Sequence, residues 1–121
     1  VARLTQIDYD REMAFVAIER GNDGTGHALG EVRAVANPGS TFADFAIVVA
    51  SAIKGQGLGK LLLQCLLGYC RSRGIAELRG ETLDGNLRMQ RLARSLGFTV
   101  TTGADRGTLD LSLSLNPPEK A

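Results

Sequence analysis

The 121-residue chain has no tryptophan, two tyrosines and four phenylalanines. So few aromatic side chains argue against a platform for stacking nucleic-acid bases. One histidine and two cysteines leave little from which to build a metal centre. A net charge of +1 creates no field that would draw the chain to nucleic acid or to a membrane surface. No apolar run approaches the ~20 residues a membrane helix needs, and no signal-peptide pattern is present. Cys65 and Cys70 lie five apart on one predicted helix and point in different directions. They read as small apolar side chains in a reducing compartment, and the expected location is the cytoplasm.

What is there is an ordinary globular mixture, 44% hydrophobic and 22% charged, long enough for one domain with a real core and too short for two. The chain starts at Val1, inside an apolar stretch, which reads as a domain cut from a longer multidomain parent. The expected domain runs over residues 1–116, with a short tail at 117–121 after Asn116.

Ala2 to Thr5 reads as a short strand, Asp8 to Glu12 as a polar helical turn, and Met13 to Ile18 as a second strand. The cluster Gly21-Asn-Asp-Gly-Thr-Gly26 is hairpin chemistry, and His27 to Ala36 is the returning strand. Phe42 to Val49 is almost wholly apolar and predicts a central strand covered on both faces. Beyond it, Leu58, Leu61, Leu62, Cys65, Leu66 and Tyr69 form a helical stripe, stopped near Gly74. Ile75 to Leu83 reads as a strand, Asp84-Gly85-Asn86 as a turn and helix cap, and Leu87 to Leu96 as a second helix. Phe98 to Thr102 and Thr108 to Leu115 form a last hairpin, with Leu109, Leu111, Leu113 and Leu115 alternating with polar residues. The unit strand–glycine turn–helix–strand predicts a right-handed crossover with its two strands parallel. The fold class is α/β with a mixed sheet.

The chemistry concentrates in Lys54-Gly-Gln-Gly-Leu-Gly-Lys60. Glycines let backbone N–H groups approach a ligand, and the first N–H groups of a helix lack partners at the positive end of its dipole. With two flanking lysines, this is a site for phosphates. A merely tight turn would explain one glycine, not three. The spacing fails the P-loop, which would need glycine at Lys54 and Ser or Thr at Leu61. It also fails the dinucleotide fingerprint, which would need glycine at Lys60.

It does fit [Arg/Gln]-x-x-Gly-x-[Gly/Ala], with lysine at the first position, as Lys54, Gly57 and Gly59. That pattern resembles the coenzyme A signature of the GNAT superfamily of N-acetyltransferases. The segment from Asn86 to Leu96-Gly-Phe98 resembles the second motif of that superfamily, and the order of elements is similar along the whole chain. Arg3 to Met13, Phe42 to Val49 and Leu96 to Phe98 look like the acetyltransferase domain of bacterial protein lysine acetyltransferases, which is commonly joined to an acyl-CoA-synthetase-like module.

The resemblance implies a mostly antiparallel mixed sheet whose central parallel pair splays around acetyl-CoA. It implies that Ile47, Val48 and Val49 offer backbone groups to the pantetheine arm, one N–H holding the developing oxyanion. Gly55, Gln56, Gly57, Leu58, Gly59 and Lys60 would take the pyrophosphate beside Lys54, and Asn86 would touch the cofactor while also reading as a helix cap. The acceptor would be a lysine side chain of a protein, such as a metabolic acyl-CoA synthetase; no nucleic acid or membrane partner and no metal is expected.

Such an amine, with a pKa of ~10.4 when free, needs a base. Asp44 is the one charged residue of the central strand, on one face with Phe42, Ala46 and Val48; apolar surroundings there would raise its pKa. The resembled enzymes carry glutamate at this position, and aspartate shortens the reach by ~1.5 Å. Glu81, sharing a face with Glu77 and Arg79, is the second candidate. Where many relatives place a tyrosine to protonate the leaving thiolate, this chain has Ala93. The competing expectations are a small-molecule amine acetyltransferase and a non-catalytic acyl-CoA sensor.

Overall fold

The computed structural model describes residues 2–8, 12–20, 26–37, 41–50 and 57–115. Seven strands and two helices follow in the order β1 (Ala2–Asp8), β2 (Glu12–Arg20), β3 (Gly26–Ala36), β4 (Phe42–Val49), α1 (Leu58–Ser72), β5 (Glu77–Leu83), α2 (Leu87–Ser95), β6 (Thr99–Thr102) and β7 (Thr108–Ser114). They make one sheet in the spatial order β1-β2-β3-β4-β5-β7-β6. Every neighbouring pair is antiparallel except β4 and β5, which the α1 crossover makes parallel.

The period of two decides which way each strand faces. In β4, Ala43 and Phe45 are buried while Asp44, Ala46 and Val48 are exposed. The buried side packs under α1, which lies across β2, β3 and β4, and α2 packs beside β6. Leu62, Leu63 and Leu66 of α1 are fully buried, with Val32, Leu78 and Leu111 from the sheet. Each such side chain contributes about 1.5–3 kcal/mol relative to exposure. The opposite face of the sheet carries no helix among the described residues. So β4 is covered on one face and not on both as its apolar run leads one to expect.

Two further expectations are corrected. Asp8 and Glu12 belong to strands and not to a helical turn, because Asp8 pairs with Met13 across a β1–β2 hairpin. The buried stripe of α1 is Leu62, Leu63, Leu66, Leu67 and Cys70, and Leu61 is 50% exposed. The helix is therefore turned by one residue, about 100°, from the predicted stripe. The run Leu61-Leu-Leu63 and the pair Leu66-Leu67 support both phases, and packing on β2–β4 chooses one. The Gly21–Thr25 part of the hairpin turn and the tail from Asn116 lie outside the described residues.

Candidate active site

The parallel ladder is short. β4 and β5 pair only as Phe42↔Glu77, Ala43↔Leu78 and Asp44↔Arg79. Beyond Asp44, β4 keeps β3 through an unbroken register to Val49, while β5 continues with β7 to Leu83. The two strands thus part inside the sheet.

Backbone alternation shows which groups face the gap. The Ala50 N–H donates to the Leu29 carbonyl at 2.8 Å, and the Phe42 carbonyl accepts from the Asn37 N–H at 3.1 Å, so even-numbered residues turn towards β3. The Thr41 carbonyl accepts from the Ala76 N–H at 2.7 Å, so odd-numbered residues turn towards β5. Beyond the last rung, Ile47 and Val49 therefore direct N–H and C=O into the gap, where β5 no longer pairs with them. Val48 instead serves β3, and its side chain is 70% exposed on the open face.

The first turn of α1 lies beside this gap. Gly57 caps the helix with φ of 84°, and among the described residues no side chain caps it by a hydrogen bond. A Cβ on Gly57 would meet nothing within 4 Å among the described residues. At Gly59, a Cβ would stand 3.3 Å from Leu92 of α2, 3.7 Å from Val49 and 4.0 Å from Ile47. The start of α1, the end of β4 and α2 therefore form one cradle. Lys60 is exposed beside it; Lys54, Gly55 and Gln56 lie outside the described residues. Asn86 is the N-cap of α2, its side-chain oxygen accepting from the Met89 N–H at 3.0 Å. Buried Gln90 donates to the Asp84 carbonyl at 2.9 Å and ties α2 to the same turn.

On the open face, a cleft of about 600 Å³ is lined by Asp44, Arg79, Glu81, Thr101, Asp110 and Ser112. It brings both carboxylates expected as bases together at the parting of β4 and β5. Asp44 is exposed and accepts from the Asn37 amide at 3.0 Å, and so lacks the apolar enclosure expected for it: the sheet face it shares carries no helix. Arg79 donates to Glu77 at 3.1 Å and lies 3.8 Å from the Phe42 ring centroid. The hydrogen bond to Glu77 raises its pKa above the ordinary guanidinium value, with Asp44 adding a lesser attraction. Asp110 and Ser112 were not singled out from the sequence; they enter because β7 lies next to β5. Ala93 lies on α2 and is fully buried.

Helix N-termini whose first N–H groups lack side-chain partners are places where phosphates bind in general. Here such a start lies beside the parted strands. Residues 2–98 match the acetyltransferase (GNAT) family. The chain belongs to that family, whose members use acetyl-CoA. It is 29% identical over 106 residues to an acetyltransferase of Pseudomonas aeruginosa, a match covering 88% of this chain and 56% of that protein. The chain thus spans little more than half the length of that relative. The fold is similar to the GNAT domain of the Streptomyces lividans protein PAT, with a TM-score of 0.73 and 22% identity over 88% of this chain and 64% of that one. It is also similar to yncA of Salmonella typhimurium, described as a putative acetyltransferase with its cofactor acetyl-CoA, with a TM-score of 0.72 and 24% identity over 91% and 68% of the two chains.

Proposed function

We propose that this chain transfers an acetyl group from acetyl-CoA to the side-chain amine of a lysine in a protein, with Asp44 as the general base. The observation that carries the reading is the junction of two features at one place. The cradle of Gly57, Gly59, Ile47 and Val49 suits a phosphate-bearing arm, and the cleft holding Asp44 and Glu81 opens where β4 and β5 part.

Acetyl-CoA, when bound, supplies the acetyl group as an activated thioester. The N–H groups of Leu58, Gly59 and Lys60 at the start of α1 would hold its pyrophosphate. The N–H of Ile47 or Val49, turned into the gap, would hydrogen-bond the thioester oxygen as charge develops on it. The amine must lose a proton to attack, and Asp44 would accept it directly or through a water. Among the described residues lining the cleft, Asp44, Glu81 and Asp110 stand with one cation, Arg79, which Glu77 already engages. That balance favours an acceptor that arrives as a cation. The cleft is open to solvent, which suits a protein loop better than an enclosed metabolite. With Ala93 at the helix position, the thiolate would leave unaided or take its proton from water.

The test is incubation with labelled acetyl-CoA and a panel containing proteins, polyamines and free amino acids. Label on protein lysines, located by mass spectrometry, supports the reading. Turnover confined to the small amines replaces it with the small-molecule enzyme, and cofactor binding without any turnover replaces it with an acyl-CoA sensor.

A further inference from the structure

The β4–β5 ladder ends at Asp44↔Arg79, and the next rung would set Phe45 against Gly80. At that position the Phe45 ring, only 8% exposed, lies over Gly80 and tilts against Phe98 with ring centroids 5.5 Å apart. A Cβ built on Gly80 would stand 2.7 Å from Cζ and 2.9 Å from Cδ1 of the ring, closer than real side chains pack. Glycine inside a strand weakens it and marks a close approach by another group. The register of β4 with β3 runs without a shift from Ala43 to Val49, so no bulge bends β4 away at the parting.

We infer that the Phe45 ring seated on Gly80 is the wedge that ends the parallel ladder and sets the width of the slot into which Ile47 and Val49 turn their backbone groups. The pair would position the cofactor's arm without touching the reacting atoms. The functional part of this inference rests on the acyl-CoA reading above. The ring is held against Phe98 within the core, and with Gly80 it also borders the open-face cleft. A methyl group at position 80 would displace the ring or part β5 further from β4.

The test uses the full chain with Gly80→Ala, Phe45→Leu and the double variant. Two readouts are needed: acetyl-CoA affinity by calorimetry, and amide hydrogen exchange. Folded Gly80→Ala should bind acetyl-CoA about tenfold more weakly. Its exchange should change only around residues 44–47 and 79–81, and the double variant, trading ring volume for the methyl, should reverse both effects. Wild-type affinity with unchanged exchange in folded Gly80→Ala overturns the inference. So does a double variant that regains thermal stability but not affinity. If Gly80→Ala does not fold, Phe45→Leu decides: weaker binding from the loosened slot supports the wedge, and unchanged binding overturns it. If the wild-type chain binds no acetyl-CoA, the cofactor reading fails. The wedge is then judged by exchange alone, a local and reversible change supporting it and no change overturning it.

Discussion

Glu81 of β5 and Asp110 of β7 stand directly opposite each other in the sheet, both exposed on the floor of the cleft that Asp44 also lines. Like charges directly opposite across a ladder destabilise it, by an amount comparable to the roughly 0.2–1 kcal/mol that favourable pairs contribute. A cationic acceptor entering the cleft would relieve that repulsion. Asp110→Asn is expected to raise thermal stability slightly while raising KM for a cationic acceptor and leaving acetyl-CoA affinity alone. Thermal melts and steady-state kinetics at low salt check both halves. An unchanged KM would remove Asp110 from acceptor binding.

Gly57 separates binding from folding in a different way. Its φ of 84° disfavours any L side chain, at about 1–2 kcal/mol. A Cβ there nevertheless meets nothing within 4 Å among the described residues, so a larger side chain need not clash with them. Gly57→Ala should lose stability by that amount and weaken acetyl-CoA binding modestly. Gly57→Glu should melt at a similar temperature yet lose acetyl-CoA binding altogether, because its carboxylate faces the same N–H groups as the pyrophosphate. Retained binding in a folded Gly57→Glu protein would move the phosphate site elsewhere.

Much of this arrangement was legible in the sequence, and what was not has definite causes. The apolar run Phe42–Val49, the glycine turn and the alternation of Leu109 to Leu115 each carry a local signal strong enough to place β4, the start of α1 and β7. Asp8 and Glu12 look like turn residues because strand pairing with Met13 and Val35 is not visible locally. The phase of α1 was ambiguous because its leucines form two overlapping stripes. Asp110 and Ser112 join the cleft only through the strand order β5-β7-β6, a property of the whole sheet. Gly80 did carry a signal, a glycine amid a strand, but its partner Phe45 follows from the register alone.

Cys70 gives a pH signature. It is 2% exposed on α1, and burial pushes its thiol up to about 11. In the unfolded chain it would titrate near an ordinary thiol value of about 8.5. The folded group binds its proton more tightly, so this stabilisation is complete below the unfolded value and is lost as pH rises through about 11. Stability should fall over that alkaline window, and Cys70→Ala should flatten that part of the profile despite its own packing loss. Urea melts across pH check this. At neutral pH, a thiol reagent should modify half-buried Cys65 well before Cys70.

Asn86 has a structural role that can be measured apart from any cofactor contact. Its side chain caps α2 through the Met89 N–H. Asn86→Ala should cost about 1 kcal/mol, a fall of roughly 4 °C in melting temperature for a domain of this size. Asn86→Ser keeps a capping oxygen and should recover most of it. If acetyl-CoA affinity falls in both variants, Asn86 also touches the cofactor; if it is unchanged in Asn86→Ser, the cap is its whole contribution.

The base is the decisive residue of the proposed chemistry, and two of the three carboxylates in the cleft, Asp44 and Glu81, are the candidates. Asp44 lies at the last rung before the strands part and already accepts a hydrogen bond from Asn37, which leaves further lone pairs for an amine or a bridging water. Glu81 lies two residues beyond Arg79 on the same face, with a longer side chain and Asp110 opposite it. Asp44→Asn keeps the size of the side chain while removing its ability to take a proton. It should lower kcat about 100-fold or more with acetyl-CoA affinity unchanged, whereas Glu81→Gln should act mainly on KM for the acceptor. Turnover at saturating acetyl-CoA, set beside calorimetric affinity, distinguishes the two. Full turnover in Asp44→Asn with loss of turnover in Glu81→Gln would transfer the role to Glu81. Asp44 would then belong with Asp110 as part of the acidic lining that receives the acceptor.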